Sequence, residues 1–139
     1  MKVKDMMHKG AESVAPNAKL HVIATTMRDH DIGAIPVCEG GKTVGMVTDR
    51  DIAIRGLADG KDISALEARD VMTRDVIFCR ETEDAEDALR IMENNKIRRL
   101  PVLNDAEKLV GMVSLGDISH ALSRDLTGEV TKAVSAHHH

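Results

Sequence analysis

The chain is nearly devoid of aromatic side chains: one Phe, no Tyr and no Trp among 139 residues. Recognition of unstacked nucleic-acid bases needs aromatic platforms, so that class of function is excluded by composition. An aromatic cage for a methylated ammonium is excluded for the same reason. Basic charge is also short. Lys and Arg total 19 against 23 Asp and Glu, a net charge of −4, which argues against a polyanion binder with a basic face. The two cysteines, Cys38 and Cys79, form no spaced motif and read as reduced thiols of a cytoplasmic protein. No apolar run approaches the roughly 18 residues of a membrane span, and the first ten residues, MKVKDMMHKG, have no apolar signal core. Neither a membrane nor a nucleic acid is therefore expected as a partner.

What is present is a globular balance, with 42% hydrophobic and 30% charged residues. The core must be aliphatic, with eight Met as gap fillers. A chain of this length forms one compact domain, or two very small units that share a core. The terminal His137, His138 and His139 read as the remnant of a purification tag.

The chain repeats itself. Asp5-Met6-Met7 recurs as Asp70-Val71-Met72, and Ile35-Pro36-Val37 recurs as Leu100-Pro101-Val102, both at an offset of 65. Gly45-Met46-Val47-Thr48 recurs as Gly111-Met112-Val113-Ser114 at an offset of 66. The extra residue enters between Val37 and Gly45, where turn-forming residues sit in both copies and an insertion does least harm. Leu20, Ile23, Ala24 and Met27 make one helix face, repeated by Ala85, Ala88, Leu89 and Met92. Asn17 and Thr82 are the expected N-caps of these helices. Strands over 34–38 and 43–47, and over 100–103 and 109–113, read as hairpins, each followed by a helix over 49–58 or 115–124. The expected fold is thus mixed α/β (α+β), with two β-α-β-β-α repeats about a pseudo-two-fold axis. Repeat 1 spans 1–65, repeat 2 spans 66–127, and a tail spans 128–139.

The chemically informative block is G-x-x-[ST]-x-x-D, Gly45 to Asp51 and Gly111 to Asp117, at a strand-to-helix junction. Two readings of it stand together. A hydroxyl followed three residues later by a carboxylate is a capping box. The same geometry suits a nucleotide: free N–H groups at a helix start favour phosphate, and a carboxylate one turn in can accept both hydroxyls of a ribose.

Two in-register copies of β-α-β-β-α, each with x-[IL]-P-V and then G-x-V-[ST]-x-x-D-I, resemble a tandem pair of cystathionine-β-synthase (CBS) domains, the Bateman module. The resemblance covers residues 1 to about 127 and is typified by Thr48-Asp49-Arg50-Asp51-Ile52, Arg55-Gly56-Leu57-Ala58 and Ala68-Arg69-Asp70-Val71-Met72-Thr73. It implies a regulatory module of the small stand-alone type. Such a module holds an adenosine ligand (AMP, ADP, ATP or S-adenosylmethionine) between its repeats and requires no cofactor. On that resemblance Asp51 and Asp117 hold the ribose, and Thr48 and Ser114 sit by the phosphate. Ile35-Pro36 and Leu100-Pro101 wall the adenine, with Val14 and Ala15 in one site and Ile77 and Phe78 in the other. Arg50, paired in the repeat with Gly116, and Arg99, which follows Arg98, are expected near a shared phosphate region, so that the two clefts are unequal. A homodimer and an unidentified regulated protein are the implied partners. A ligand-free module for dimerisation or protein interaction is the competing reading.

Enzyme signatures are missing: no P-loop, no G-x-S-x-G and no H-E-x-x-H. His8, His21, His30 and His120 are not spaced as a metal set. Neither catalysis nor a metal site is expected.

Overall fold

The structure, a computed structural model, describes residues 1–10 and 12–124. The expected tail over 128–139 and the last residues of the second repeat lie outside the described residues.

Leu20, Ile23 and Met27 form the buried face of helix α1 (Leu20–His30). The same stripe recurs as Ala85, Ala88 and Met92 on α4 (Ala85–Asn95). Each helix ends on a residue in the left-handed region, Asp31 at φ 52° and Lys96 at φ 55°. Ala24, expected on the buried face, is exposed, and Leu89 is half-buried. A narrower stripe suffices because each helix covers only a small sheet. In the first repeat that sheet is the hairpin of β2 (Ala34–Glu39) and β3 (Lys42–Thr48). In the second it is β5 (Arg99–Leu103) and β6 (Leu109–Ser114), joined in parallel by β4 (Cys79–Arg80). The β4 strand has a counterpart in the single parallel bridge of Val14 to Val37.

The one-residue change of repeat offset falls in the hairpin turns. Gly40 and Gly41 have φ of 60° and 82°, which lets two residues close β2 onto β3. The second turn is longer and is organised by Asn104, whose side-chain oxygen accepts from the amides of Ala106 and Lys108 at 2.9 and 3.0 Å. Both hairpins also carry a bulge at the same place, between Val37 and Cys38 and between Val102 and Leu103.

After β3, helix α2 opens at Asp49–Asp51 and continues as a π-helix over Ile52–Ala58. Its counterpart α5 spans 115–124 of the described residues. Helix α3 (Ala68–Val71) begins the second repeat.

The repeats exchange their leading segments. Val3 is wholly buried among Ala88, Leu100, Val113 and other residues of the second repeat, and β1 (His8–Lys9) pairs with β6. Leu66, Ala68, Val71 and Met72 are buried against Leu20, Ile35 and Val47 of the first repeat, and Thr73 bridges to Met46. The hydrogen bonds of the two exchanges match at the repeat offset. Leu20 N donates to Leu66 O and Ala85 N to Met1 O; Ala68 N donates to Ala18 O and Val3 N to Glu83 O.

This exchange moves the helix caps. Asn17 and Thr82 are not the N-caps: these are Lys19 and Asp84. At α1 no side chain caps, and the amide of Leu20 is taken by the exchanged backbone instead. At α4 the Asp84–Asp87 pair forms a capping box. Orphan amides can be met by any acceptor in reach, and here the neighbouring segment supplies one.

Candidate functional site

Thr48 and Ser114 end their strands in extended conformation and start helices α2 and α5. Asp51 N donates to Thr48 Oγ1 at 3.1 Å, and Thr48 N donates to Asp51 Oδ2 at 2.9 Å. Asp117 N donates to Ser114 Oγ at 3.0 Å, and Ser114 N donates to Asp117 Oδ2 at 2.9 Å. Both blocks are therefore complete capping boxes, each worth about 1 kcal/mol to its helix. The cap occupies one carboxylate oxygen and leaves the other outward. In Asp117 that oxygen, Oδ1, accepts from His8 Nε2 at 3.1 Å. In the first repeat Thr73 stands at the position equivalent to His8.

Beside each capping box lies a cavity, and the two are related by the repeat. The larger, about 430 Å³, is walled by His8, Glu12, Asp31, Arg99, Ser114 and Asp117, among others. The smaller, about 360 Å³, is walled by Thr48, Arg50, Thr73, Ile77, Arg99 and Pro101, among others. Both volumes fall in the range of small-molecule sites, roughly 300–1,000 Å³. The exchanged segments build both: β1 carries His8 into one, and the chain after α3 carries Thr73 and Ile77 into the other.

Of the residues expected from the sequence, the larger cavity gathers Arg99, Ser114 and Asp117, and the smaller gathers Thr48, Arg50, Ile77, Arg99 and Pro101. Asp51 is half-buried and does not line the smaller cavity, whose rim takes Asp49 instead. Ile35 and Leu100 are wholly buried in the two aliphatic cores, and Pro36 is buried beside Ile35. Val14 edges β2 and Ala15 faces a separate surface hollow. Phe78 lines neither cavity; the Arg80 guanidinium lies over its ring, 5.6 Å from the centroid.

Sequence reasoning missed His8, Lys9, Glu12, His30 and Asp31 in the larger cavity and Asp49, Thr73 and Asp75 in the smaller. The repeat offset could have found His8 through Thr73, but only with knowledge that the leading segments are exchanged.

The electrostatics of the cavities differ. In the larger, two carboxylates already have imidazole neighbours: His8 Nε2 lies 3.1 Å from Asp117 Oδ1, and His30 Nε2 lies 3.7 Å from Glu12 Oε1. In the smaller, the side chains of Arg50, Arg98 and Arg99 have no ion pair or hydrogen bond among the described residues. Among the described residues no group of three or more His, Cys, Asp or Glu is placed to hold a metal ion, and no helix is long and apolar enough to cross a membrane.

Cys79 lies in β4 with no exposed surface. Burial, with Glu83 adding to it, pushes its thiol up from 9.0 to about 12. Because the folded value is the higher one, the stability Cys79 contributes is fully present below pH about 9 and is lost as pH rises toward about 12. Iodoacetamide at neutral pH is expected to label half-buried Cys38 first and Cys79 only on unfolding, read by peptide mass. Equal labelling rates in the native protein would contradict that placement.

Two exchanged β-α-β-β-α repeats with paired strand-to-helix capping boxes define a CBS-domain pair, and the chain belongs to the CBS domain family, whose profile matches residues 3–56 and 68–124. Among its relatives, CBS domain-containing protein YhcV of Bacillus subtilis is 38% identical over 134 residues, which are 96% of this chain and 94% of that one. Hypoxic response protein 1 of Mycobacterium tuberculosis is 34% identical over 132 residues, 94% of this chain and 92% of that protein. A crystal structure of Hypoxic Response Protein I with two coordinated zinc ions superposes with a TM-score of 0.80 at 35% identity, covering 86% of this chain and 98% of that one. The CBS pair of protein MJ0100, in complex with 5′-methylthioadenosine and S-adenosylmethionine, superposes with a TM-score of 0.79 at 29% identity, covering 90% of this chain and 98% of that one.

Proposed function

We propose that this CBS pair is a stand-alone regulatory module, not an enzyme. It binds an adenosine-containing ligand (AMP, ADP, ATP or S-adenosylmethionine) in the cavities beside its capping boxes and relays that occupancy to a partner protein. The observation that carries this reading is the pair of equivalent cavities, each lined by the hydroxyl of a capping box. The adenosine ligands of the MJ0100 pair support the ligand class. The ribose diol is assigned to Asp117 in the larger cavity. In the smaller, Asp51 keeps its cap and reaches a ligand only at the cavity edge.

A magnitude follows from ligand size. AMP has about 23 heavy atoms, and at roughly 0.3 kcal/mol each the binding free energy is about −7 kcal/mol, a dissociation constant on the order of 10 µM. At a hundredfold excess over that constant, native-state binding adds about 2.7 kcal/mol. The melting temperature is then expected to rise by on the order of 5–10 °C in a thermal shift with AMP, ATP or S-adenosylmethionine. No shift with any of them would remove the ligand reading.

One observation favours the assembly reading. Ile54 and Leu57, on the π-helical part of α2, are 50% and 61% exposed, and Val22 on α1 is 50% exposed. Apolar side chains this open on helices suit a homodimer formed through helix faces. Mass in solution tests it: a dimer is expected for the parent chain and a monomer for Leu57→Glu. A parent chain that is monomeric at tens of micromolar would refute the dimer.

A further inference from the structure

We infer that Arg99 sorts the ligands of the two cavities by charge: the module holds one phosphorylated adenosine ligand at a time, in the Arg50–Arg98–Arg99 cavity. The His8 cavity then takes an uncharged or cationic adenosine ligand. This rests on the proposal that the cavities bind adenosine ligands at all.

Arg99 and Ala34 line both cavities, so they form the wall between them. Gly33, in the smaller cavity, leaves room beside Arg99: a β-carbon there would come within 3.3 Å of Arg99 Nη1 and 3.0 Å of Asp49 Oδ2. The Arg99 guanidinium is thus a cation that either cavity can use, but not both at once. In the smaller cavity Arg50, Arg98 and Arg99 stand against Asp49 and Asp75. The three guanidinium groups have no partner among the described residues, and guanidinium forks match phosphate oxygens two at a time. In the larger cavity Lys9 and Arg99 stand against Glu12, Asp31 and Asp117. Lysine and arginine are thus outnumbered by carboxylates there. Once a phosphate in the smaller cavity draws Arg99 to itself, the larger keeps Lys9 alone against three carboxylates and repels a second anion. An uncharged nucleoside meets no such penalty, and its diol can still reach Asp117 by displacing His8, whose side chain is 79% exposed.

Isothermal titration at pH 7.5 with ADP and with adenosine tests this. One ADP per chain is expected, with one adenosine still binding to the ADP-saturated protein. Raising salt from 50 to 300 mM is expected to weaken ADP and leave adenosine unchanged, since exposed charges are screened. Arg99→Gln is expected to lower ADP affinity about 10- to 100-fold, the scale of a lost charge-assisted contact, and to change adenosine affinity by much less, since an uncharged nucleoside makes no charge-assisted contact with it. Two ADP of like affinity per chain, or an Arg99→Gln variant that binds ADP as the parent does, overturns the sorting and leaves the adenosine reading intact. Absence of heat with both ligands overturns the two together. The stoichiometry of the parent chain decides the matter even if the variant folds poorly.

Discussion

Asp117→Ala is expected to weaken adenosine binding by about 10- to 100-fold and to lower stability by about 1 kcal/mol. The two effects come from different oxygens. Oδ2 accepts from the amide of Ser114, the reciprocal half of the capping box, and losing that hydrogen bond costs about 1 kcal/mol while Ser114 Oγ still caps α5. Oδ1 faces the larger cavity, where it meets His8 and is the acceptor available to a ribose diol. A lost pair of hydrogen bonds to a charged acceptor costs about 1.5–3 kcal/mol, hence the affinity change. Asp51→Ala is the control. It breaks the same capping geometry but sits outside the lining of its cavity, so the melting temperature falls by a similar amount and ligand affinity changes less. Calorimetric titration beside thermal melts separates cap from ligand contact. An Asp117→Ala protein that melts lower yet binds adenosine as before would reduce that carboxylate to its cap.

Gly111→Ala is expected to destabilise the fold by about 1–3 kcal/mol and to free the N-terminal segment. A β-carbon at Gly111 would come within 2.6 Å of His8 O and 2.8 Å of Met7 Sδ. The first of these is backbone, so β1 must lift from β6, and His8 leaves Asp117 with it. At the equivalent Gly45 the nearest atoms are Met72 Sδ at 2.5 Å and Cγ at 3.0 Å, with Thr73 O farther at 3.1 Å. The obstacle there is chiefly a flexible side chain. Trimming Met72 to Ala should therefore relieve Gly45→Ala more than trimming Met7 relieves Gly111→Ala, which a double-mutant cycle in urea measures. Gly116→Ala, in helix α5, should instead stabilise by about 0.5–1 kcal/mol, since its β-carbon would meet only Ser114 Oγ at 3.6 Å and alanine favours the helix. Early cleavage near His8 by a protease in the Gly111→Ala protein, with the parent resistant, would show the segment released. A Gly111→Ala protein as stable as the parent would mean that β1 does not cover β6 as described.

These glycines explain why G-M-V recurs. Each leaves a groove beside a strand into which the methionine of an exchanged segment fits. The repeat was visible because both grooves, both segments and both capping boxes are written twice, and duplication needs no geometry to detect.

The sequence by itself determined the duplicated unit, three of the four residues expected on the buried stripe of each of α1 and α4, the hairpins and the turn that absorbs the extra residue. It also determined the Thr48–Asp51 and Ser114–Asp117 caps. All of these depend on residues within a turn or two of one another, where side-chain period and hydrogen-bonding type dictate conformation. Only the tertiary structure decided that residues 1–10 cover the second repeat and 66–73 the first. Two equivalent grooves attract either segment equally by composition, and connection and packing choose between them. That choice moved the helix starts to Lys19 and Asp84, placed His8 on Asp117, and set Arg99 on the wall between two cavities of unlike charge. Charge balance in a cavity is a sum over side chains distant in sequence, so it exists only once the chain has folded.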